Sequence, residues 1–160
     1  VLIYGMLTLG LAMKSSGASN LIAEALSSGV LANASEELRP FLLLSAIYLT
    51  TAVLTEILSN NATIVLMAPI SLELASRLNL GVEDARAFLL ATCIAASASF
   101  TTPIGYQTNT YVYSVGGYRF RDFVKIGLPL NLLYFFSSVV LIGCFWEFHP
   151  FEGGIRGLFQ

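Results

Sequence analysis

Uncharged, mostly apolar runs organise the chain. They cover residues 1–13, 41–55, 57–72, 87–118 and 126–146, and the polar stretches 14–40, 73–86 and 119–125 separate them. Crossing the ~30 Å hydrocarbon core at 1.5 Å per residue takes about 20 helical residues. Only 126–146, 21 residues ending on Trp146 as an interfacial anchor, has that length as it stands.

The other runs have lengths that simple spans do not explain. Between Pro40 and Ser76 the apolar pattern is interrupted by Ser59-Asn60-Asn61, and the piece that follows, 62–76, is 15 residues long and contains Pro69. A re-entrant hairpin fits both arms: two shorter helices enter and leave by one face and hold a polar turn at depth. Two ordinary helices joined by a tight interfacial turn at 59–61 are the alternative. Residues 87–118 run 32 positions without charge, too many for one helix and too few for two with a loop. Inside this run lies Thr101-Thr102-Pro103-Ile104-Gly105-Tyr106-Gln107-Thr108-Asn109. Proline there removes a backbone donor, glycine loosens the helix, and several side chains can hydrogen-bond. The pattern predicts a helix broken in mid-membrane, which is tolerated only where the backbone faces protein or a watery cavity.

The connectors complete the layout. Leu21, Ile22, Ala25 and Leu26 fall at helical spacing among Ser, Asn and Glu, which predicts a short amphipathic connector near the interface. Gly116-Gly117 opens a second connector, in which Arg119, Arg121 and Lys125 alternate with aromatic residues directly before the spanning helix. That pattern suits the cytoplasmic interface and puts residues 147–160, with His149, in an extracytoplasmic tail. Residue 1 is Val, and 1–13 lacks the basic region and cleavage site of a signal peptide. The expectation is a piece of a longer membrane protein, with 1–146 as its transmembrane unit.

Composition agrees with the pattern. Of 160 residues, 56% are hydrophobic and 11% charged, against the roughly 25% charged of a soluble domain; mean hydropathy is +0.75. A net charge of −2 gives no basic field for nucleic acid. Cys93 and Cys144 sit in apolar runs without a CxxC spacing and read as small hydrophobes. No Ser/His/Asp or Cys/His set assembles at membrane depth, so the chain is not expected to be an enzyme, and no cofactor is expected.

The candidate chemistry lies at the two polar breaks. A helix that stops mid-membrane leaves its last carbonyls and first amides without partners; amide ends suit anions, and carbonyl ends suit cations. In the hairpin, an arm ending near Leu58 and one starting near Ala62 would bring both kinds of end to one tip. Ser59, Asn60 and Asn61 there donate or accept without formal charge, as reversible anion binding requires, and they also suit helix caps. Thr102, Thr108 and Asn109 in the broken helix are the other substrate candidates. Glu56 is the lone charge before Glu73 in this stretch. It can pair with a cation, relay a proton or hydrogen-bond to the neighbouring break.

Three segments carry a resemblance: LTEILSNNATIVLMAPI at 54–70, ASFTTPIGYQTNTYV at 98–112 and GGYRFRDFVKIGLPL at 116–130, preceded by GMLTLGLAMKSSGA at 5–18. Together they resemble the second inverted repeat of the divalent anion:sodium symporter family, within the superfamily that includes citrate carriers. The resemblance implies an all-α polytopic membrane protein with a re-entrant hairpin and a discontinuous transmembrane helix. It also implies sodium-coupled transport of a divalent anion by alternating access, in a homodimer in the plasma or inner membrane. Ser59, Asn60 and Asn61 would meet the anion, while Thr55, Leu58, Asn60 and Gly105 would line a sodium site. The hairpin has Asn61 where dicarboxylate members have Thr, and Tyr106-Gln107 stand where those members have Thr-Pro. The GYQTN form looks more like the sulfate-transporting branch, which makes sulfate the first expected substrate and dicarboxylate the second. From another class, a membrane sensor or assembly subunit that kept the fold without transport would carry the same pattern.

Overall fold

The computed structural model describes residues 8, 11–13, 15–31, 35, 38–77 and 82–146. The expected tail at 147–160, with His149, lies outside them. Every regular element among the described residues is a helix. In chain order they are α1 (Ala18–Leu31), α2 (Arg39–Thr55), α3 (Asn60–Arg77), α4 (Val82–Ala96), α5 (Gln107–Val115) and α6 (Phe120–Phe145).

The α2–α3 pair is a helical hairpin with a four-residue turn at 56–59. At about 26 Å each, the arms fall short of the hydrocarbon thickness. α2 opens with Pro40 in its first turn, where the missing N–H is harmless. Its buried face is Leu43, Leu44, Ile47, Tyr48, Thr51 and Thr55. α3 continues through Pro69, which lies inside one helix. Two hydroxyls inside these helices are satisfied locally: Thr51 donates to the Ile47 carbonyl at 2.6 Å and Ser71 to that of Met67 at 3.0 Å. Such back-bonding lets a hydroxyl sit in an apolar interior without an outside partner.

α4 is the keystone of the packing, with α3 and α2 as its most extensive neighbours. Ala87, Ala91 and Ala95 form a small-residue stripe along it, flanked by the fully buried Phe88 and Thr92. Side chains of this size let helix backbones approach closely, the packing mode favoured where lipid replaces water. α1 packs on α2 and α3, and of its apolar residues at helical spacing Leu26 lies against the core. Ser19, Ala23 and Ser27 are buried, whereas Leu21 and Ile22 are exposed. Close packing selects the small residues beside Leu26 and leaves Leu21 and Ile22 facing outward.

α6 has 26 residues and is the one described helix long and apolar enough to cross a membrane. It begins six residues before the run that marks it, because the Asp122 carboxylate accepts the Arg119 N–H at 2.8 Å and caps the first turn. Gly117, at φ +67°, takes the left-handed conformation that lets the chain turn from α5 into α6. α6 packs on α2 and α4, with Tyr48 and Phe135 edge to face at 5.4 Å. α5 buries none of its residues.

Candidate functional site

The helical path that starts in α4 stops at Ala96 and resumes at Gln107, leaving 97–106 as the unwound break. This differs from the break expected at 101–109: it opens earlier, and Gln107, Thr108 and Asn109 form the first turn of α5. The carbonyls of Ile94 and Ala95 still accept the N–H groups of Ser97 and Ala98, so α4 tightens before it ends. From Ala98 onward the backbone is held by the hairpin.

Three contacts join the break to the α2 end of the turn. Thr55 donates from Oγ1 to the Ala96 carbonyl at 2.7 Å, and Ser99 donates from Oγ to the Thr55 carbonyl at 3.2 Å. Gly105 lies so close that a Cβ there would stand 2.6 Å from the Thr55 carbonyl oxygen and would also meet Ser99 Oγ. Only glycine fits at that approach. Thr55 Oγ1 also lies 2.9 Å from Asn60 Oδ1. One hydroxyl proton cannot serve two acceptors well, and an Asn60 amide turned to donate from Nδ2 satisfies both contacts and leaves Oδ1 for a ligand.

Glu56 makes the second join. Its Oε1 accepts the Thr101 N–H at 2.8 Å and its Oε2 the Thr102 N–H at 2.7 Å, while Asn131 Nδ2 of α6 reaches Oε1 at 2.8 Å. The Thr102 hydroxyl returns a bond to the Glu56 carbonyl at 2.8 Å. Of the roles open to Glu56, bonding to the break is the one this geometry displays. Further along, Asn109 donates to the Ser99 carbonyl at 2.9 Å and Thr110 to that of Pro103 at 2.7 Å, tying α5 back onto the break.

The α3 end of the turn is different in kind. Ser59 caps α3 by accepting the Ala62 N–H on its side chain at 3.4 Å and the Thr63 N–H on its carbonyl at 2.9 Å. The N–H groups of Asn60 and Asn61 have no such partner among the described residues, and they sit at the positive end of an 18-residue helix. The tip therefore carries amides suited to an anion beside the carbonyls of Thr55 and the break.

Of the residues singled out by sequence, Thr55, Glu56, Asn60, Thr102, Gly105 and Asn109 are joined in this one network. Leu58 lies in the turn, half-buried, with its N–H on the Leu54 carbonyl. Ser59, Asn61 and Thr108 are exposed. Ser99, Thr101, Thr110 and Asn131 also belong to the network and are not among the sequence candidates. Asn131 had a visible signal as the one carboxamide inside the run 126–146. Ser99 had none, since it sits among alanines and serines of the same size.

A helical hairpin whose tip is bonded into the break of a discontinuous helix is the arrangement from which broken-helix membrane proteins build binding sites at depth. The family follows from comparison: the family model for the citrate transporter (CitMHS) matches residues 1–92. The chain belongs to that family, a family of transporters and not of enzymes. It is 45% identical over 149 residues to an uncharacterized transporter of Synechocystis, sll0640, an alignment spanning 93% of this chain and 23% of the relative. It is 43% identical over 103 residues to a Chlamydomonas reinhardtii protein named as a sulfur deprivation response regulator, covering 64% of this chain and 17% of that one. Sodium/sulfate cotransporter 1 of the same alga is 39% identical over 89 residues, 56% of this chain and 10% of the relative. The chain thus spans less than a quarter of the length of these relatives.

Proposed function

We propose that the whole protein is a sodium-coupled symporter of a divalent anion, with sulfate as first substrate and dicarboxylate as second, working by alternating access. The observation that carries this reading is the tip itself. The amides of Asn60 and Asn61, without partners among the described residues, open α3, and within one turn of chain the Thr55 carbonyl meets Gly105 and Ser99 of the break. An anion and a cation held side by side at one tip stabilise each other, which is what coupling requires.

In this reading Ser59, Asn60 and Asn61 hold the anion, joined by Thr102, Thr108 and Asn109. Thr55, Leu58, Asn60 and Gly105 hold sodium. Sulfate is compact and tetrahedral, and several short donors converging on one centre suit it better than they suit a dicarboxylate, which needs two centres. The name of the sodium/sulfate cotransporter relative supports the same order. The protein acts in the cell membrane as a homodimer.

The relative named as a response regulator favours a second reading, a membrane sensor that binds the anion without moving it. Uptake separates the two. Full-length protein in liposomes is expected to accumulate labelled sulfate under an inward sodium gradient and not when choline replaces sodium. Sodium-dependent binding without accumulation would instead establish the sensor, and uptake driven by protons alone would remove sodium from the mechanism.

A further inference from the structure

We infer that Glu56 is a positioning residue, whose carboxylate clasps the hairpin turn, the break and α6 into one body and so holds the Thr55 and Gly105 backbones together at the cation site. This rests on the sodium-coupled reading for its effect on sodium, and on geometry alone for the clasp.

Glu56 is the only charged residue between Phe41 and Leu72, and a carboxylate at membrane depth is costly unless it is used. Its three side-chain partners are N–H donors from two other parts of the chain, Thr101 and Thr102 in the break and Asn131 in α6. No cationic side chain among the described residues pairs with it. The hydrogen bond between the Thr102 hydroxyl and the Glu56 carbonyl doubles the join, so the residue is held to the break by both its side chain and its backbone.

The amide of Asn131 shows that the arrangement serves the clasp. Its Nδ2 bridges Glu56 Oε1 at 2.8 Å and Thr101 Oγ1 at 2.6 Å, while its Oδ1 is buried with no partner among the described residues. Turning the amide would give Oδ1 those neighbours but would set it against the Glu56 carboxylate, so the orphaned acceptor is the lesser cost. Backbones approach closely on both sides. At Gly127, one turn before Asn131, a Cβ would collide with the Phe100 carbonyl and stand 2.7 Å from Thr101 Cα; at Gly105 a Cβ would stand 3.0 Å from Glu56 Cα. The clasp thus fixes the segment between two glycine contacts, and its negative charge lies one residue from the carbonyl proposed to face sodium.

The test uses full-length protein in lipid nanodiscs, spin-labelled at Ile57 and Ile104, which are 69% and 63% exposed and flank the clasp. The expected result is one narrow distance distribution in the parent and a broad one in Glu56→Gln, whose amide nitrogen must face a donor. Sodium chloride against choline chloride, read as thermal stabilisation, is expected to give a half-saturation about tenfold higher in Glu56→Gln. Glu56→Asp, which keeps charge and both acceptors, should recover part of both. Asn131→Ala leaves the hairpin sequence intact and decides the matter should the glutamine variant not fold: a broadened distribution supports the clasp and an unchanged one overturns it. An unchanged distribution in Glu56→Gln, with sodium half-saturation within about twofold, overturns the clasp and leaves transport standing. Broadening in a protein whose parent shows no sodium response keeps the clasp and removes the sodium reading.

Discussion

Asn60 stands where both ligands of the proposed site would meet. Its side chain contacts Thr55 at 2.9 Å, and its own N–H is among the amides that open α3. Asn61, next to it, is exposed and makes no such contact with the cation side. The two should therefore separate on substitution. Losing a hydrogen bond to a charged group costs about 1.5–3 kcal/mol, or about ten- to a hundredfold in affinity. Asn61→Ala is expected to weaken sulfate binding by that factor, with sodium affected mainly through coupling, whereas Asn60→Ala should damage both directly. Titration of sulfate at several sodium concentrations checks this, and unchanged sulfate affinity in Asn61→Ala would remove Asn61 from the anion site. At this scale the sequence is informative where a polar residue is out of place, as Glu56, Asn60 and Asn131 are among apolar neighbours. It is silent on Ser99, because a serine among alanines gives no sign of which carbonyl it will meet 44 residues away.

The hairpin and the break are the elements that the apolar run lengths announce, and both are present. Their edges moved for local reasons. The first arm ends at Thr55 and the second starts at Asn60, because Ser59 is used as the cap and not as part of a long polar loop. The break ends at Tyr106 because Gln107-Thr108-Asn109, polar though they are, can open α5 while Asn109 reaches back to the Ser99 carbonyl. In α1, of the apolar residues at helical spacing only Leu26 packs against the core; Leu21 and Ile22 lie exposed, and the small Ser19, Ala23 and Ser27 take the buried positions. The hairpin reading makes its own test. In a protein with Cys93 and Cys144 replaced, single cysteines at Ser59 or Asn61 should react with small aqueous thiol reagents, and sulfate with sodium should suppress the reaction. Labelling that ignores both ligands would support two full spans with an interfacial turn.

At the scale of the whole molecule, the chain spans less than a quarter of the length of its relatives. α5 buries nothing in the described structure, and Ile126, Leu133 and Phe136 on α6 are more than half exposed. The central claim is that one tip carries both ligands, so sulfate and sodium must report on each other. By linkage, the factor by which sodium raises sulfate affinity equals the factor by which sulfate raises sodium affinity. The direct measurement is equilibrium binding of sulfate to the full-length protein across a sodium series, with the reciprocal series for sodium. The expected result is a mutual enhancement of about five- to a hundred-fold, lost together in both directions in Asn60→Ala; sulfate binding with the same affinity in sodium and in choline would contradict the shared site.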